Sequence, residues 1–513
     1  MTLPARPSIS IRLNRHAGLL VALAAALLCL PFIRSVWLLA DEGIWLHAAR
    51  RMLDGQLLYR DFFEFHPPAG FLIVTGWMAL FGETLVAARL MMVAVIALTA
   101  WLTFACCRIM SGRIGLSALL ALAWVAAAQG TWTQVNHHWL TTLFSMVTLW
   151  GILSSEGKPG RLAVAGLAAS AATLVTTHRG GLAVLAGLAA LLMRRSPKAL
   201  AIYIGSGLAF FAAIVCFLWA QGSLAPAFDQ VVLYPLRHYA NIQAVPFGAF
   251  LDLQTMPVVA IFPLTAFLML AALRREGFAL LRRSRFGAVT FFAIAGFAGC
   301  FPRPDAVHIA FCAAMALPLL AALLDILLPK GATGPVLKVA AILACLMPAW
   351  PLALSAVRAA SARPVGSAAG RIAIMPQDGT AELLGRLRAL PADDSVFFYP
   401  YDPMLPFLSG RHHPARLDLL VPEYTTPAQY QATCREVMQG ARWVVFDHAI
   451  SHPGFYRAVF PAMRDPSPPE KVAFEAALNR GFADAGRHGG FQLLRRSHAS
   501  AALCRPIDPP RIS

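Results

Sequence analysis

The sequence is organised around long apolar runs, and these decide what it can fold into. They occur near 17–39, 90–107, 114–130, 138–153, 162–176, 181–193, 198–220, 256–273, 286–302, 306–328 and 336–357. A helix needs roughly 20 apolar residues to cross a bilayer's hydrocarbon core, so eleven runs of about this kind place most of the chain in lipid. Composition agrees: 58% of the 513 residues are hydrophobic and 13% charged, against roughly a quarter charged in a soluble domain. The mean hydropathy is +0.62. A simple soluble enzyme is excluded. The run from Ala69 to Phe81 is left out of the spans, because its length at about 1.5 Å per residue covers only about 20 Å of a roughly 30 Å core. It is expected to lie at, or dip into, one interface.

The formal net charge is +17, which taken alone could suggest an anionic polymer as partner. Its distribution points elsewhere. With a cytoplasmic N-terminus, the inner segments hold 17 basic residues against two acids, whereas the outer connections hold eight basic residues against nine acids. The positive-inside rule fixes that orientation, and no nucleic-acid partner is expected. Arg6, Arg12 and Arg15 precede the first span with no clear small-residue cleavage site, so it reads as an anchor. The expected division is a transmembrane domain over 1–357, with its first external loop at 41–89, and a soluble extracytoplasmic α/β domain over 358–513. Helical stretches are expected near 379–390, 427–440 and 468–480, with β-rich runs at Ser395–Tyr399, Trp443–Phe446 and Phe491–Leu494. Cys434 and Cys504 share this tail and could be joined, since an oxidising compartment permits a disulfide.

The chemistry is expected in the first external loop. Asp41-Glu42-Gly43 follows the first span, and Trp45, Ala48, Ala49, Met52 and Leu53 recur at the spacing of one helix face, opposite His47, Arg50, Arg51 and Asp54. This predicts an amphipathic helix in the outer interface. A second helical element begins at His66-Pro67-Pro68 and ends at Gly82-Glu83. Asp41 has two compatible readings. One is a helix N-cap. The other is a carboxylate at the lipid–water boundary that takes a proton from an attacking hydroxyl. Glu42 is expected beside it as a supporting or solvated acid.

The stretch DEGIWLHAARRMLDGQLLYRDFFEFHPPAGFLI, followed by FGETLVAARL, resembles the start of the GT-C superfamily of polyprenyl-phosphate-sugar-dependent glycosyltransferases, which includes protein mannosyltransferases and aminoarabinose transferases. The resemblance covers about 65 residues. It implies a GT-C-like helical membrane fold, Asp41 as general base, and Glu83 and Arg89 as the acidic and basic members of the second element. Many relatives carry a lysine before the Pro-Pro that faces the donor phosphate; here the residue is His66, which would act through protonation or hydrogen bonding. The second outer connection, Gln129 to Trp139, has Asn136, His137 and His138 but no carboxylate. A divalent metal is therefore possible but unsupported there, and no cofactor is expected.

A lipid-phosphate leaving group requires fixed cations or hydrogen-bond donors. Arg179 lies in the hairpin Thr176–Gly181 between two short spans, where a buried arginine is costly unless paired; the competing role is a snorkelling interfacial residue. Arg303, Asp305 and His308 form Arg-x-Asp-x-x-His in a tight outer turn, similar to a turn in bacterial members of the same group, or simply an ion pair satisfying the turn. Tyr399-Pro400-Tyr401-Asp402-Pro403 is a cleft-facing segment or a solvated loop, and no role is assigned to it.

Together with these features, the resemblance implies a transferase in the bacterial inner membrane, its inverting stereochemistry being what the resemblance alone implies. It would move a sugar from a polyprenyl-phosphate carrier to a glycan, lipid or protein acceptor at the outer face. Two other classes compete: a transporter or flippase, which would gather ionisable groups at the bilayer midplane, and a non-catalytic scaffold of an envelope-assembly complex.

Overall fold

The computed structural model describes residues 9–37, 39–128, 134–239, 242–328, 335–362, 364–374 and 379–504. Gln129 to Thr133 of the second outer connection, and Lys330, lie outside the described residues. The chain divides into two compact units.

The first unit comprises Met1–Ile33, Arg89–Ile214 and Pro246–Ala360 and is helical. A helix stands at each of the eleven apolar runs. Among the described residues, three are long and apolar enough by themselves to cross a membrane: Leu85–Ser111, Pro197–Ala220 and Met256–Glu276. The pair Ala306–Ala313 and Leu317–Leu327 makes a fourth if counted as one span bent by 71°. Pro318 lies in the first turn of the second half, where its missing N–H breaks the hydrogen-bond ladder and permits the bend. The helix of the first run covers Ile9–Cys29 and gives way to a 3-10 turn at Leu30–Phe32, so it starts and stops earlier than hydropathy suggests. Beyond it the apolar run continues into a strand, Ser35–Val36. The hairpin at Thr176 is tight: Pro159–Val175 and Thr177–Met193 are separated by that single residue. Gly180 makes this possible, since a Cβ there would stand 2.1 Å from the backbone nitrogen of Thr173.

The second unit joins Arg34–Ala88, Val215–Val245 and Ser361–Ser513. The strands, in chain order, are β1 (Ser35–Val36), β2 (Pro364–Ser367), β3 (Gly370–Ile374), β4 (Val396–Tyr399), β5 (Trp443–Asp447), β6 (Phe482–His488) and β7 (Phe491–Arg496). A small sheet has the order β1-β3-β2, with β1 parallel to β3, so the end of the first apolar run contributes a strand to a sheet of the tail. The larger sheet has the order β4-β5-β7-β6. Its β4 and β5 are parallel, which requires a crossover; the helix Pro427–Gly440 lies within it. That helix begins with a capping box, Thr426 and Gln429 each satisfying the other's backbone. Phe397, Tyr399, Val437, Val444, Phe474, Leu478 and Leu494 form the core, and a disulfide joins Cys434 to Cys504. This is the α/β fold expected of the tail, with β1, β2, β3 and β6 added to the expected strands.

Candidate functional site

In the second unit, Asp41 occupies the N-cap position of the helix Glu42–Leu53, yet its side chain makes no capping hydrogen bond. Its Oδ1 instead accepts from the Tyr401 phenol. The backbone explains how residues 360 apart meet. The Met404 N–H donates to the carbonyl of Leu39 at 2.9 Å, and Gly43 lets the 403–404 backbone lie directly on the helix start: a Cβ there would fall 2.0 Å from the Met404 nitrogen. Small size at position 43 is thus a requirement of the site.

His66 is partly buried, edge-on to Trp45 at 5.2 Å and stacked on Phe65 at 4.4 Å. Burial pushes its pKa down to about 4, against the opposing field of Asp41. The imidazole is therefore neutral near pH 7, and it could serve an anion only as a hydrogen-bond donor. Glu42 is buried beside Asp41 in the first helical turn. Glu83 is drawn elsewhere, accepting from Arg50 Nε at 3.1 Å. Arg50 is nine residues along the helix from Asp41, about 13 Å at the α-helical rise.

Behind Asp41 the same helix is pinned by charge. Asp418 is 2.6 Å from His47 Nδ1 and 2.8 Å from Arg51 Nη1, all three side chains being buried. Burial alone would raise the Asp418 pKa, but His47 and Arg51 outweigh it and hold the carboxyl well below its usual range. His413, 3.4 Å from the same carboxylate, is pushed down to about 3, chiefly by burial.

Asp402, next to Tyr401, is fully buried, and neither carboxyl oxygen has a hydrogen-bond partner among the described residues. Burial, and then the nearby Asp447, raise its pKa well above the usual carboxylate value. A raised folded-state pKa stabilises below the unfolded value of about 4, and that contribution is lost as pH rises. Asp402→Asn is therefore expected to melt close to wild type near pH 4 and to gain in Tm relative to it between pH 5 and 8, measured by scanning fluorimetry.

In the first unit, Arg179 is 2% exposed. Its Nη1 donates to His138 Nδ1 at 2.7 Å and its Nη2 to Thr142 Oγ1 at 3.3 Å, while Nε has no hydrogen-bond partner among the described residues. No carboxylate pairs with it among the described residues. The His138 ring lies 5.0 Å from that of His308 and 4.6 Å from that of Phe311. Three helix N-termini gather here, those of His137–Leu153, Thr177–Met193 and Ala306–Ala313, and each carries a partial positive charge. A buried cation beside such termini is an anion-binding arrangement. Beside the hairpin, Thr177, His178, Leu182 and Leu185 help line an apolar groove of about 550 Å³.

Arg303 differs. Its Nε donates to Asp305 Oδ2 at 2.8 Å, while Asp305 Oδ1 caps the next helix through the His308 N–H and also meets His308 Nδ1, both at 2.8 Å. Burial works against the Asp305 charge, but His308 and Arg303 prevail and lower its pKa. This cation is already compensated by its own turn. Arg89 is buried, and its Nη1 donates to the carbonyl of Phe32 at 2.8 Å. Among the described residues, no group of three or more His, Cys, Asp and Glu side chains is arranged to hold a metal ion.

No family model matches the sequence, and no curated protein does. Solved structures do. ArnT from Cupriavidus metallidurans bound to undecaprenyl phosphate has a TM-score of 0.57 at 15% identity, over 98% of this chain and 100% of that one. The apo form of that ArnT gives 0.59 at 14% identity, with the same coverage. The arabinofuranosyltransferase AftD from Mycobacteria gives 0.51 at 13%, over 94% of this chain and 40% of that one. The likeness extends over nearly the whole chain, and the fold is the GT-C fold that the first external loop resembles.

Proposed function

We propose that this GT-C-fold protein is an inverting glycosyltransferase that moves a sugar from a polyprenyl-phosphate carrier to an envelope glycan, lipid or protein acceptor. The observation that carries the proposal is Arg179, a guanidinium buried at three helix N-termini with no carboxylate partner among the described residues. Such a charge is balanced when an anion binds, and a polyprenyl phosphate supplies both the anion and an apolar chain suited to the adjacent groove. In this reaction Asp41 takes the proton of the acceptor hydroxyl. The acceptor oxygen bonds to the anomeric carbon from the face opposite the phosphate, the bond from that carbon to the phosphate oxygen breaks, and the phosphate leaves as an anion stabilised by Arg179. Arg303, His308 and His66 would add hydrogen bonds to donor or acceptor. Glu42, Glu83, Arg89 and Asp305 fit supporting roles in their own networks. One base and one displacement account for inversion, and the scheme needs no metal or other cofactor.

The proposed setting is the bacterial inner membrane, with eleven spans, a cytoplasmic N-terminus, and residues 358–513 on the extracytoplasmic side of a transmembrane domain over 1–357. The disulfide in the tail supports an oxidising outer compartment. In proteoliposomes the protein is expected to bind a polyprenyl phosphate and to release it from the sugar-linked form during transfer. Arg179→Gln should weaken that binding by roughly 10- to 100-fold, the value of a lost charge-assisted contact, while Arg179→Lys keeps most of it. Unchanged binding in the Gln variant, or movement of lipid across the bilayer without transfer, would overturn the proposal.

A further inference from the structure

The Tyr401 contact suggests that the extracytoplasmic tail takes part in setting the reactive carboxylate. We propose that Tyr401 is a positioning residue for Asp41. This rests on the reading of Asp41 as the base.

The first step concerns what orients Asp41. A carboxylate at an N-cap is normally fixed by the N–H groups of the first helical turn; here that bond is absent, and the only hydrogen bond to Asp41 from a described side chain comes from the Tyr401 phenol. The second step is rigidity. The Tyr401 segment is held at both ends, by the Leu420 N–H to the Pro400 carbonyl at 2.8 Å and by the Met404 N–H to the Leu39 carbonyl at 2.9 Å. Between these ties the Asp402 side chain is wholly buried, and the Leu405 N–H returns to the Asp402 carbonyl at 2.9 Å. The phenol is therefore presented from a fixed backbone. The third step is the carboxylate itself. With Oδ1 occupied, Oδ2 has no hydrogen bond from a described residue and keeps its lone pairs for an incoming hydroxyl. A charge-assisted bond to one oxygen holds the other in a defined direction, which is what proton transfer from a bound acceptor needs. Tyr401 itself neither gives up nor takes a proton in the reaction.

The test is Tyr401→Phe, which keeps the ring and removes only the donor, measured beside Asp41→Asn. The expected result for Tyr401→Phe is a kcat about tenfold lower, in keeping with imperfect alignment of a general base, with KM for the polyprenyl-phosphate sugar unchanged. Binding stoichiometry for a polyprenyl phosphate and Tm should equal wild type, so that fewer folded molecules cannot account for the loss. If Tyr401→Phe keeps the wild-type kcat while Asp41→Asn is inactive, the positioning role is overturned and the base stands. If Asp41→Asn is fully active, the base fails and the role of Tyr401 falls with it.

Discussion

Asp41→Asn is expected to lower the kcat of sugar transfer by about a thousandfold, the middle of the range for a lost general base, with folding and donor binding as in wild type. The structure makes this substitution unusually clean. Removal of an N-cap would ordinarily cost about 1 kcal/mol of helix stability, and a stability loss could be mistaken for a catalytic one. Asp41 stands at the N-cap but makes no capping bond, so that cost does not arise. The amide oxygen of Asn can still accept the Tyr401 hydroxyl, so the docking of residues 399–404 on the helix start survives, and only the ability to take a proton is lost. Transfer is measured in proteoliposomes with a polyprenyl-phosphate sugar, with donor affinity and Tm on the same preparations. Inactivity with both unchanged supports the base; full activity refutes it. A flippase or scaffold would be indifferent to the change.

The reach of the sequence follows from the range of the forces involved. Helices at the apolar runs are legible because burial of a helix is written in its own residues, and the helix Pro427–Gly440 falls where a helical stretch is expected, near 427–440. The end of the first helix was not legible, since hydropathy cannot separate the last helical turn from β1, a two-residue strand whose partner lies in the tail. The edge strand β6, exposed over much of its length and with a shifted register between Asp484 and Arg487, carries no continuous apolar pattern. Arg179 stands out in the sequence as a candidate because a charge in a short apolar hairpin needs an explanation. That Arg303 is already satisfied by Asp305, and that Glu83 belongs to Arg50, are facts of side-chain geometry. The contacts of Asp41 with Tyr401 and of His47 with Asp418 span 360 and 371 residues. Neither partner carries a local signal: Tyr401 lies in a turn-rich segment that suits a cleft or a solvated loop equally well, and Asp418 in a stretch with no motif.

That last contact gives the largest expected loss of stability. Asp418→Ala removes the carboxylate that His47, Arg51 and His413 face and leaves the buried Arg51 guanidinium with hydrogen bonds, among the described residues, to the Gln56 side chain and the Ala415 carbonyl alone. Breaking a buried pair from one side costs about 3–5 kcal/mol, because the stranded charge stays desolvated. For a unit of this size that is a fall in Tm on the order of 10 °C, read by scanning fluorimetry in detergent. The pH dependence checks the cause. The folded-state pKa of Asp418 is depressed, so its contribution is present above the unfolded value of about 4 and is lost as pH falls below it. His413 and His66, lowered to about 3 and about 4, act in the same direction, since each is held neutral in the fold and must take up a proton as the chain unfolds in acid. Wild type should therefore lose stability steeply on acidification, and the gap between wild type and Asp418→Ala should narrow below about pH 4. A gap constant from pH 7 to pH 3 would show that the loss comes from packing and not from the charge. Because this pair anchors the helix that begins at Asp41, the variant should also lose transfer activity at temperatures where its Tm has not yet been reached. Asp418→Glu, which restores the charge on a longer stem, should recover part of both.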